Sequence, residues 1–117
     1  MARTTKNELL NFFMHFCRDV GKSVSLGKSE VESMRKFYKD RADLPCEIVP
    51  YGTKGAWRLD YAGCYGGWQI QEMCEGGGIS CPFGNKRRPA SSLLDMICFA
   101  REALRLKNNG YKCEEPA

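Results

Sequence analysis

The sequence predicts a single α+β domain: an antiparallel meander of three or four strands, with N-terminal helices and a long C-terminal helix packed on one face. Apolar residues recur at the helical period in the first and last thirds of the chain, and at the strand period of two between residues 46 and 83. The connections between the predicted strands are too short for crossover helices. The length of 117 residues suits one packed domain, which we expect at residues 1–110, followed by a loose tail at 111–117.

The first 45 residues predict two helices. Thr5 and Glu8 have the spacing of a capping box that opens the first helix, and Gly21 ends this helix. Ser29 and Glu32 have the same spacing and predict the start of the second helix, which should stop near residue 45. Each helix carries an apolar stripe: Leu9, Phe13, Phe16 and Val20 in the first, and Val31, Met34 and Tyr38 in the second.

The middle of the chain predicts strands. Four segments have the pattern: residues 47–51, 57–61, 68–73 and, as a short fourth strand, 79–83. Because short glycine-rich turns join the first three, consecutive strands should pair antiparallel. Apolar and charged residues alternate along one segment, with Trp57, Leu59 and Tyr61 on one side and Arg58 and Asp60 on the other. We therefore expect one apolar face of the sheet under the helices and one solvent-exposed face.

The last third predicts a long amphipathic helix that closes at residues 108–110. Arg105 and Lys107 stand in its final turns, where cations suit the negative end of the helix dipole. Its apolar stripe consists of Leu93, Met96, Ile97, Ala100, Ala103 and Leu104.

The cysteines do not predict a metal site. No pair among the seven has the spacing of a zinc knuckle, and His15 is the only histidine, so we expect neither a metal nor a cofactor. Cys17 and Cys98 fall inside helical patterns and should behave as small buried apolar residues. Cys64 and Cys81 lie beside glycines in predicted loops, where a thiol could be exposed and reactive.

No segment predicts export or membrane insertion. The apolar runs are shorter than the roughly 18 residues of a membrane span, and the first eight residues are polar where a secretory signal would be apolar. We therefore expect a cytoplasmic protein without membrane contact.

Charge is unevenly distributed along the chain. Residues 1–45 contain nine Lys and Arg and six Asp and Glu, residues 46–83 contain two basic and four acidic residues, and residues 84–117 contain seven basic and four acidic residues. The net charge is +4. This excess is compatible with contact to a polyanion but is small for a dedicated nucleic-acid-binding domain. Lys36 and Lys39 on the second helix are candidate partner contacts, with simple solvation as the alternative.

A basic segment before the last helix is the stronger candidate for anion or partner binding. Lys86, Arg87 and Arg88 precede a helix start, where unpaired backbone N–H groups favour an anion. Four glycines would allow close backbone approach: Gly76, Gly77, Gly78 and Gly84. The spacing matches neither a P-loop nor a dinucleotide-binding motif, and a solvated turn is the alternative.

Four aromatic residues should lie near one another on neighbouring strands: Trp57, Tyr61, Tyr65 and Trp68. Such a face could stack on the bases of single-stranded nucleic acid or on a free nucleotide. The alternative is core packing, because a small sheet needs large side chains to bury.

The sequence offers no catalytic constellation. It has one histidine and no nucleophile elbow or HExxH motif, which leaves Asp60 and Glu72 as acid or base candidates. These carboxylates are expected to pair with Arg58 across the strands. We therefore predict no catalytic residues and no enzyme.

Five short segments carry a resemblance to a known group of proteins: residues 57–61, 65–70, 75–79, 82–84 and 87–88. Together they span about residues 56–104, and they resemble small accessory proteins of phages and prophages. The resemblance implies a mobile-element origin, a bacterial host cell and a binding role, with no active-site residues to transfer. Such proteins include transcription regulators, anti-CRISPR inhibitors and nucleotide-sequestering proteins. Pro89 departs from the match, at a position where a helix-capping hydroxyl is expected.

Three functions remain open at this point. The first is a non-enzymatic inhibitor or regulator that binds a host protein, in particular one that handles nucleic acid or takes part in defence. The second is a module that sequesters a nucleotide or nucleic acid with the Gly-rich and Arg-rich segments and the aromatic face. The third is a small enzyme that uses carboxylate chemistry, or cysteine chemistry at Cys64 or Cys81.

Overall fold

The computed structural model describes residues 4–38 and 45–110, and within them it has the predicted α+β class. The elements of these residues follow one another as α1 (Lys6–Val20), β1 (Val24–Ser25), α2 (Lys28–Tyr38), β2 (Ile48–Val49), β3 (Trp57–Ala62), β4 (Gly67–Met73), β5 (Ile79–Ser80) and α3 (Ala90–Asn108). The predictions for Lys39 and for the tail at 111–117 lie outside the described residues.

The helix starts agree with the sequence in one case and differ in the other. Thr5 Oγ1 accepts a hydrogen bond from the backbone N–H of Glu8 at 3.1 Å, as the capping box predicts. The predicted box at Ser29 is wrong, because α2 already begins at Lys28. Instead the side chain of Glu30 accepts from the backbone N–H of Gly27 at 3.2 Å, so the cap lies two residues earlier.

The sheet is mixed, with strand order β2-β1-β3-β4-β5. Strands β3, β4 and β5 form the predicted antiparallel meander. The predicted antiparallel pairing between the segments 47–51 and 57–61 is wrong, because β1 lies between β2 and β3 and runs parallel to both. Val24 is paired with Ile48 on one side and with Trp57 on the other. A strand of two residues is too short to show a period, so only the long-range pairing reveals it.

The apolar stripes of α1 and α3 meet over the inner face of β3 and β4. The core is formed mainly by Leu9, Phe13, Phe16, Leu59, Ile70, Leu93 and Ile97. Ala103 and Cys98, which the sequence assigns to the buried side of α3, are exposed. Ala100 and Leu104 of the predicted stripe are partly buried against the core, and the final turn of α3, residues 105–108, is exposed on every side.

Helices α1 and α3 run in the same direction. Asp19, near the end of α1, forms an ion pair with Arg101 in the second half of α3 at 3.0 Å. Lys6 and Ala90, the first residues of the two helices, border the same groove. The N-terminal ends of both helices therefore lie at one end of the molecule. None of the helices in the described residues has the length and apolar character to cross a membrane.

Candidate functional site

An open groove of about 890 Å³ lies where the starts of α1 and α3 meet the loop between β3 and β4. We call it the aromatic groove. Its lining includes Tyr61 and Trp68 on the strands, Gly66 in the loop, Gly67 at the start of β4, and Ala90 at the start of α3. The groove therefore joins three parts of the chain that are far apart in sequence.

Two of the four predicted aromatic residues form a wall of this groove. Tyr61 and Trp68 face each other across β3 and β4, with ring centroids 4.9 Å apart and planes inclined by 50°. Tyr61 is 60% exposed, whereas Trp68 packs partly against the core. Tyr61 follows Leu59 on the same face of β3, but it lies beyond the part of the strand that the helices bury. The result is a tyrosine ring open to solvent with a second aromatic ring beside it.

The other two aromatic residues do not belong to the groove. Trp57 is only 6% exposed and packs against Phe16 and Phe83, at centroid distances of 5.9 and 5.4 Å. Tyr65 is 77% exposed on a 3₁₀ turn and does not line the groove. The expectation of one face with four aromatic residues is therefore corrected to a pair.

Gly67 forms the floor of the groove, and because it has no side chain, the backbone of residues 88 and 89 can approach it closely. The backbone of Gly67 has φ +118°, and a Cβ atom there would lie 2.5 Å from the carbonyl oxygen of Arg88. Any side chain would collide with backbone that cannot move aside easily. The backbones of Trp68 and Arg88 exchange two hydrogen bonds of 2.8 Å each. This pairing brings the start of α3 against the aromatic wall.

The start of α3 presents backbone donors to the groove. Pro89 is the N-cap residue, has no hydroxyl, and makes no side-chain capping bond. The first N–H groups of a helix have no acceptor within the helix, and without a cap they are available to solvent or to a ligand. Since α1 starts at the same groove, the positive ends of two helix dipoles face it.

The side chains of Arg87 and Arg88 lie on opposite faces of the sheet, although the two residues are neighbours in sequence. Arg88 is directly opposite Trp68, and directly opposed residues in antiparallel pairs place their side chains on the same face. The side chain of Arg88 therefore leaves the backbone on the same face as Trp68, beside the groove but not in its lining, and it makes no ion pair within the part of the chain that the structure describes. The alternation of an extended chain directs Arg87 to the other face of the sheet.

The guanidinium of Arg87, which the sequence predicts as an anion-binding group, is engaged by acceptors within the protein. Its Nη2 donates to Asp60 Oδ2 at 2.7 Å and to Gln69 Oε1 at 3.1 Å. Its Nη1 donates to the carbonyl oxygens of Asp60 and Gly67, at 3.1 and 3.2 Å. The side chain is only 15% exposed. An anion would have to displace these internal acceptors before it could bind Arg87.

The glycine-rich segment does not join Arg88 in one cradle, so that prediction is wrong. Gly76, Gly77 and Gly78 form the turn between β4 and β5, closed by a hydrogen bond of 2.8 Å from the Cys74 N–H to the Gly78 oxygen. This turn follows Met73, five residues along β4 from the position paired with Arg88, which corresponds to about 17 Å of strand. The hairpin therefore places the glycines at the opposite end of β4.

The remaining cationic candidates lie on the surface. Lys36 and Lys86 are exposed and make no ion pair among residues 4–38 and 45–110. Lys6, which the sequence did not single out, borders the groove. Its Nζ lies 3.6 Å from a carboxylate oxygen of Glu30, and its side chain is half exposed.

Sequence reasoning also missed Gly66, Gly67 and Ser91 as groove residues. The Gly66-Gly67 pair between two strands is a local signal of close backbone approach that could have identified the floor. Lys6 and Ser91 carry no such signal, because their place at the groove depends on the parallel packing of α1 and α3.

The two carboxylates considered as acid or base candidates have different partners. Asp60 pairs with Arg58 at 3.2 Å as well as with Arg87. The expected pairing of Glu72 with Arg58 is wrong, because Glu72 accepts a hydrogen bond from Trp57 Nε1 at 2.8 Å and pairs with Lys22 at 3.1 Å. The hydrogen bond from Trp57, supported by Lys22, lowers the pKa of the Glu72 carboxyl.

The cysteines also divide into buried and exposed groups. Burial raises the pKa of the Cys17 thiol strongly and that of Cys46 to about 11. Cys64 and Cys98 are exposed and Cys81 is partly buried, so the expectation of a buried Cys98 is wrong. Within the described residues, no three His, Cys, Asp or Glu side chains are grouped as metal ligands would be.

Comparison with protein-family models, with curated proteins and with solved structures finds no match to this chain.

Proposed function

We propose that this protein binds a planar, negatively charged ligand in the aromatic groove, namely a nucleotide or a short stretch of single-stranded nucleic acid, and that it acts by sequestering this ligand. The observation that carries the proposal is the exposed ring of Tyr61 beside the uncapped start of α3. A stacking surface and a set of anion donors thus occur in one groove.

The aromatic wall would hold the base. Tyr61 offers an open ring face, and its contact with Trp68 limits the rotation that an isolated surface tyrosine would have. Stacking of a base on such a ring contributes about 1–3 kcal/mol and tolerates any base. The groove therefore favours a class of ligand over a particular base sequence.

The phosphate would lie towards α3. The first N–H groups of α3 have no side-chain cap, and a helix start of this kind accepts an anion. Arg88 does not line the groove itself, but it leaves the chain on the same side as Trp68, next to Pro89 and Ala90 of the lining, and Lys6 is the cation among the described lining residues. Glu30 neutralises part of the Lys6 charge, so Arg88 is expected to contribute more to anion binding.

The composition of the lining supports binding without a reaction. None of the described lining residues is a carboxylate, histidine or cysteine, which are the usual sources of general acids, bases and thiol nucleophiles. Cys64, the exposed thiol nearest in sequence, does not line the groove.

The proposal is tested by titrating the protein with adenosine monophosphate, a cyclic mononucleotide and a ten-residue oligothymidylate, followed by tryptophan fluorescence and thermal shift. We expect Tyr61→Ala to weaken binding roughly tenfold, through loss of stacking. Tyr65→Ala is the matched control, since Tyr65 is a still more exposed tyrosine outside the groove. No binding by any of these probes at millimolar concentration, or equal effects of both variants, would refute the proposal.

Charge is tested by a second matched pair. Arg88→Glu and Lys36→Glu change the net charge equally, but only Arg88 is next to the aromatic wall. We expect Arg88→Glu to abolish binding of the mononucleotide and Lys36→Glu to leave it within twofold. Equal weakening by both would indicate nonspecific attraction by the whole surface.

A second candidate function is inhibition or regulation of a host protein, as the resemblance to phage accessory proteins implies. The outer face of α3 favours it, because Phe99 is 77% exposed and Leu106, two turns later, is 39% exposed. Exposed aromatic residues of this kind are common in protein interfaces. A stoichiometric complex with a nucleic-acid-handling or defence protein from a bacterial lysate, lost in Phe99→Ser and retained in Tyr61→Ala, would favour this function over the first.

A further inference from the structure

We infer that Arg87, which does not line the aromatic groove, is the residue that positions the aromatic wall of Tyr61 and Trp68 relative to the start of α3. The inference rests on the function proposed above, since it concerns the same groove. Arg87 lies on the outer face of the sheet, on the side away from Tyr61 and Trp68.

The guanidinium holds the two peptide groups that precede the aromatic pair. Arg87 Nη1 donates to the carbonyl oxygens of Asp60 and Gly67, at 3.1 and 3.2 Å. The carbonyl of Asp60 belongs to the peptide bond that continues to Tyr61, and that of Gly67 belongs to the one that continues to Trp68. A single nitrogen thus connects both strands immediately before the residues that form the aromatic wall.

The same residue also connects the aromatic wall to the helix start. The next residue, Arg88, exchanges two backbone hydrogen bonds of 2.8 Å with Trp68, and Pro89 after it is the N-cap of α3. Movement of the Arg87 backbone would therefore move the anion donors of α3 relative to the stacking rings.

The outer face keeps the guanidinium in place. Asp60 Oδ2 accepts at 2.7 Å and Gln69 Oε1 at 3.1 Å from Arg87 Nη2, while Gln69 Nε2 donates back to the carbonyl of Asn85 at 3.1 Å. Gln69 itself is buried. Water therefore competes little for these bonds. A lysine has one ammonium group on a flexible stem and cannot reproduce this planar fork of donors.

The matched variants for the test are Arg87→Lys and Arg58→Lys. Both arginines contact Asp60, at 2.7 and 3.2 Å, but only Arg87 bonds the two carbonyls. Both substitutions keep the net charge. Any effect that arises only from a weakened ion pair with Asp60 should appear in both variants.

The first measurement is amide hydrogen exchange of Trp68 and Arg88 in the unliganded protein, with the Trp57 amide, which donates to Ser23, as an internal reference. We expect exchange at Trp68 and Arg88 at least tenfold faster in Arg87→Lys than in Arg58→Lys, with the same exchange at Trp57. Unchanged exchange in Arg87→Lys, or equal increases in both variants, would overturn the inference.

The second measurement is the affinity for adenosine monophosphate at a temperature well below unfolding of each variant. We expect Arg87→Lys to bind about tenfold more weakly and Arg58→Lys to bind like the original protein. Full affinity in Arg87→Lys would overturn the inference. If the original protein does not bind the nucleotide at all, the proposed function fails, and the exchange measurement still decides whether Arg87 positions the aromatic wall relative to the start of α3.

Discussion

Glu72 and Trp57 form a hydrogen-bonded pair directly across β3 and β4, with Trp57 Nε1 donating to the Glu72 carboxylate at 2.8 Å. Lys22, just after α1, completes the group by pairing with the same carboxylate oxygen at 3.1 Å. The pair satisfies the one polar atom of an otherwise buried indole. It also ties the sheet to the end of α1.

This pair predicts a pH dependence of stability. The contacts of Glu72 lower its pKa in the folded state, so they stabilise the fold above the pKa of the unfolded chain, and this contribution is lost as the pH falls through the folded pKa. We expect Glu72→Gln to cost about 1 kcal/mol at pH 7 and to reduce the loss of stability as the pH falls below the pKa of the unfolded carboxyl. Urea unfolding at several pH values measures both effects.

Glu75→Gln is the control for that experiment. Glu75 is a nearby carboxylate whose contact with Lys54, at 3.5 Å, lies in solvent. Its substitution should leave the pH profile unchanged, because exposed ion pairs contribute little to stability. Identical profiles for the two variants would mean that the Trp57 contact does not stabilise the folded state.

A substitution at Gly67 should be far more damaging than one at Gly77. Gly67→Ala would place a Cβ atom 2.5 Å from the Arg88 oxygen, and we expect it to cost about 3 kcal/mol or more. Gly77 also has positive φ, +82°, but open space around it, so Gly77→Ala should cost about 1 kcal/mol from backbone strain. Unfolding in urea gives both values, and equal costs would contradict the close approach of Arg88 to the groove floor.

The corrected start of α2 predicts different effects of two hydroxyl deletions. Thr5→Ala removes a side-chain acceptor of the Glu8 N–H and should cost about 1 kcal/mol. Ser29→Ala should cost less than about 0.5 kcal/mol, because Ser29 is already inside the helix and caps nothing. A large loss of stability in Ser29→Ala would support the capping box that the sequence suggested.

Thiol reactivity should follow burial and pKa. Treatment of the folded protein with iodoacetamide at pH 7.5, read by peptide mass spectrometry, should modify Cys64 and Cys98 first. Cys46, with a pKa raised to about 11, should react more slowly, and Cys17 should react only after unfolding. Modification of Cys17 in the folded state at the rate of Cys64 would contradict the packing of α1.

Much of the secondary structure could be predicted because its causes are local. The cap at Thr5, the left-handed end of α1 at Gly21 and the buried faces of α1 and α3 follow from spacing and periodicity within a few turns. The pairing of β3 with β4 follows from alternation and a short connection, and so does the contact of Tyr61 with Trp68. These features need only neighbours along the chain.

The candidate site could be predicted only in part, because its members meet through distant pairings. Alternation along an extended segment places Arg87 and Arg88 on opposite faces of the sheet. Which of the two lies on the face of the aromatic wall depends on the pairing of Trp68 with residue 88. The hairpin turn moves Gly76–Gly78 to the far end of β4, away from that pair. Parallel packing brings Lys6 to the groove. The period of apolar residues in the sequence identifies a helix or strand and its apolar side. Which element pairs with each strand edge or packs on each face depends on the free energy of the whole packed fold, which no local segment determines.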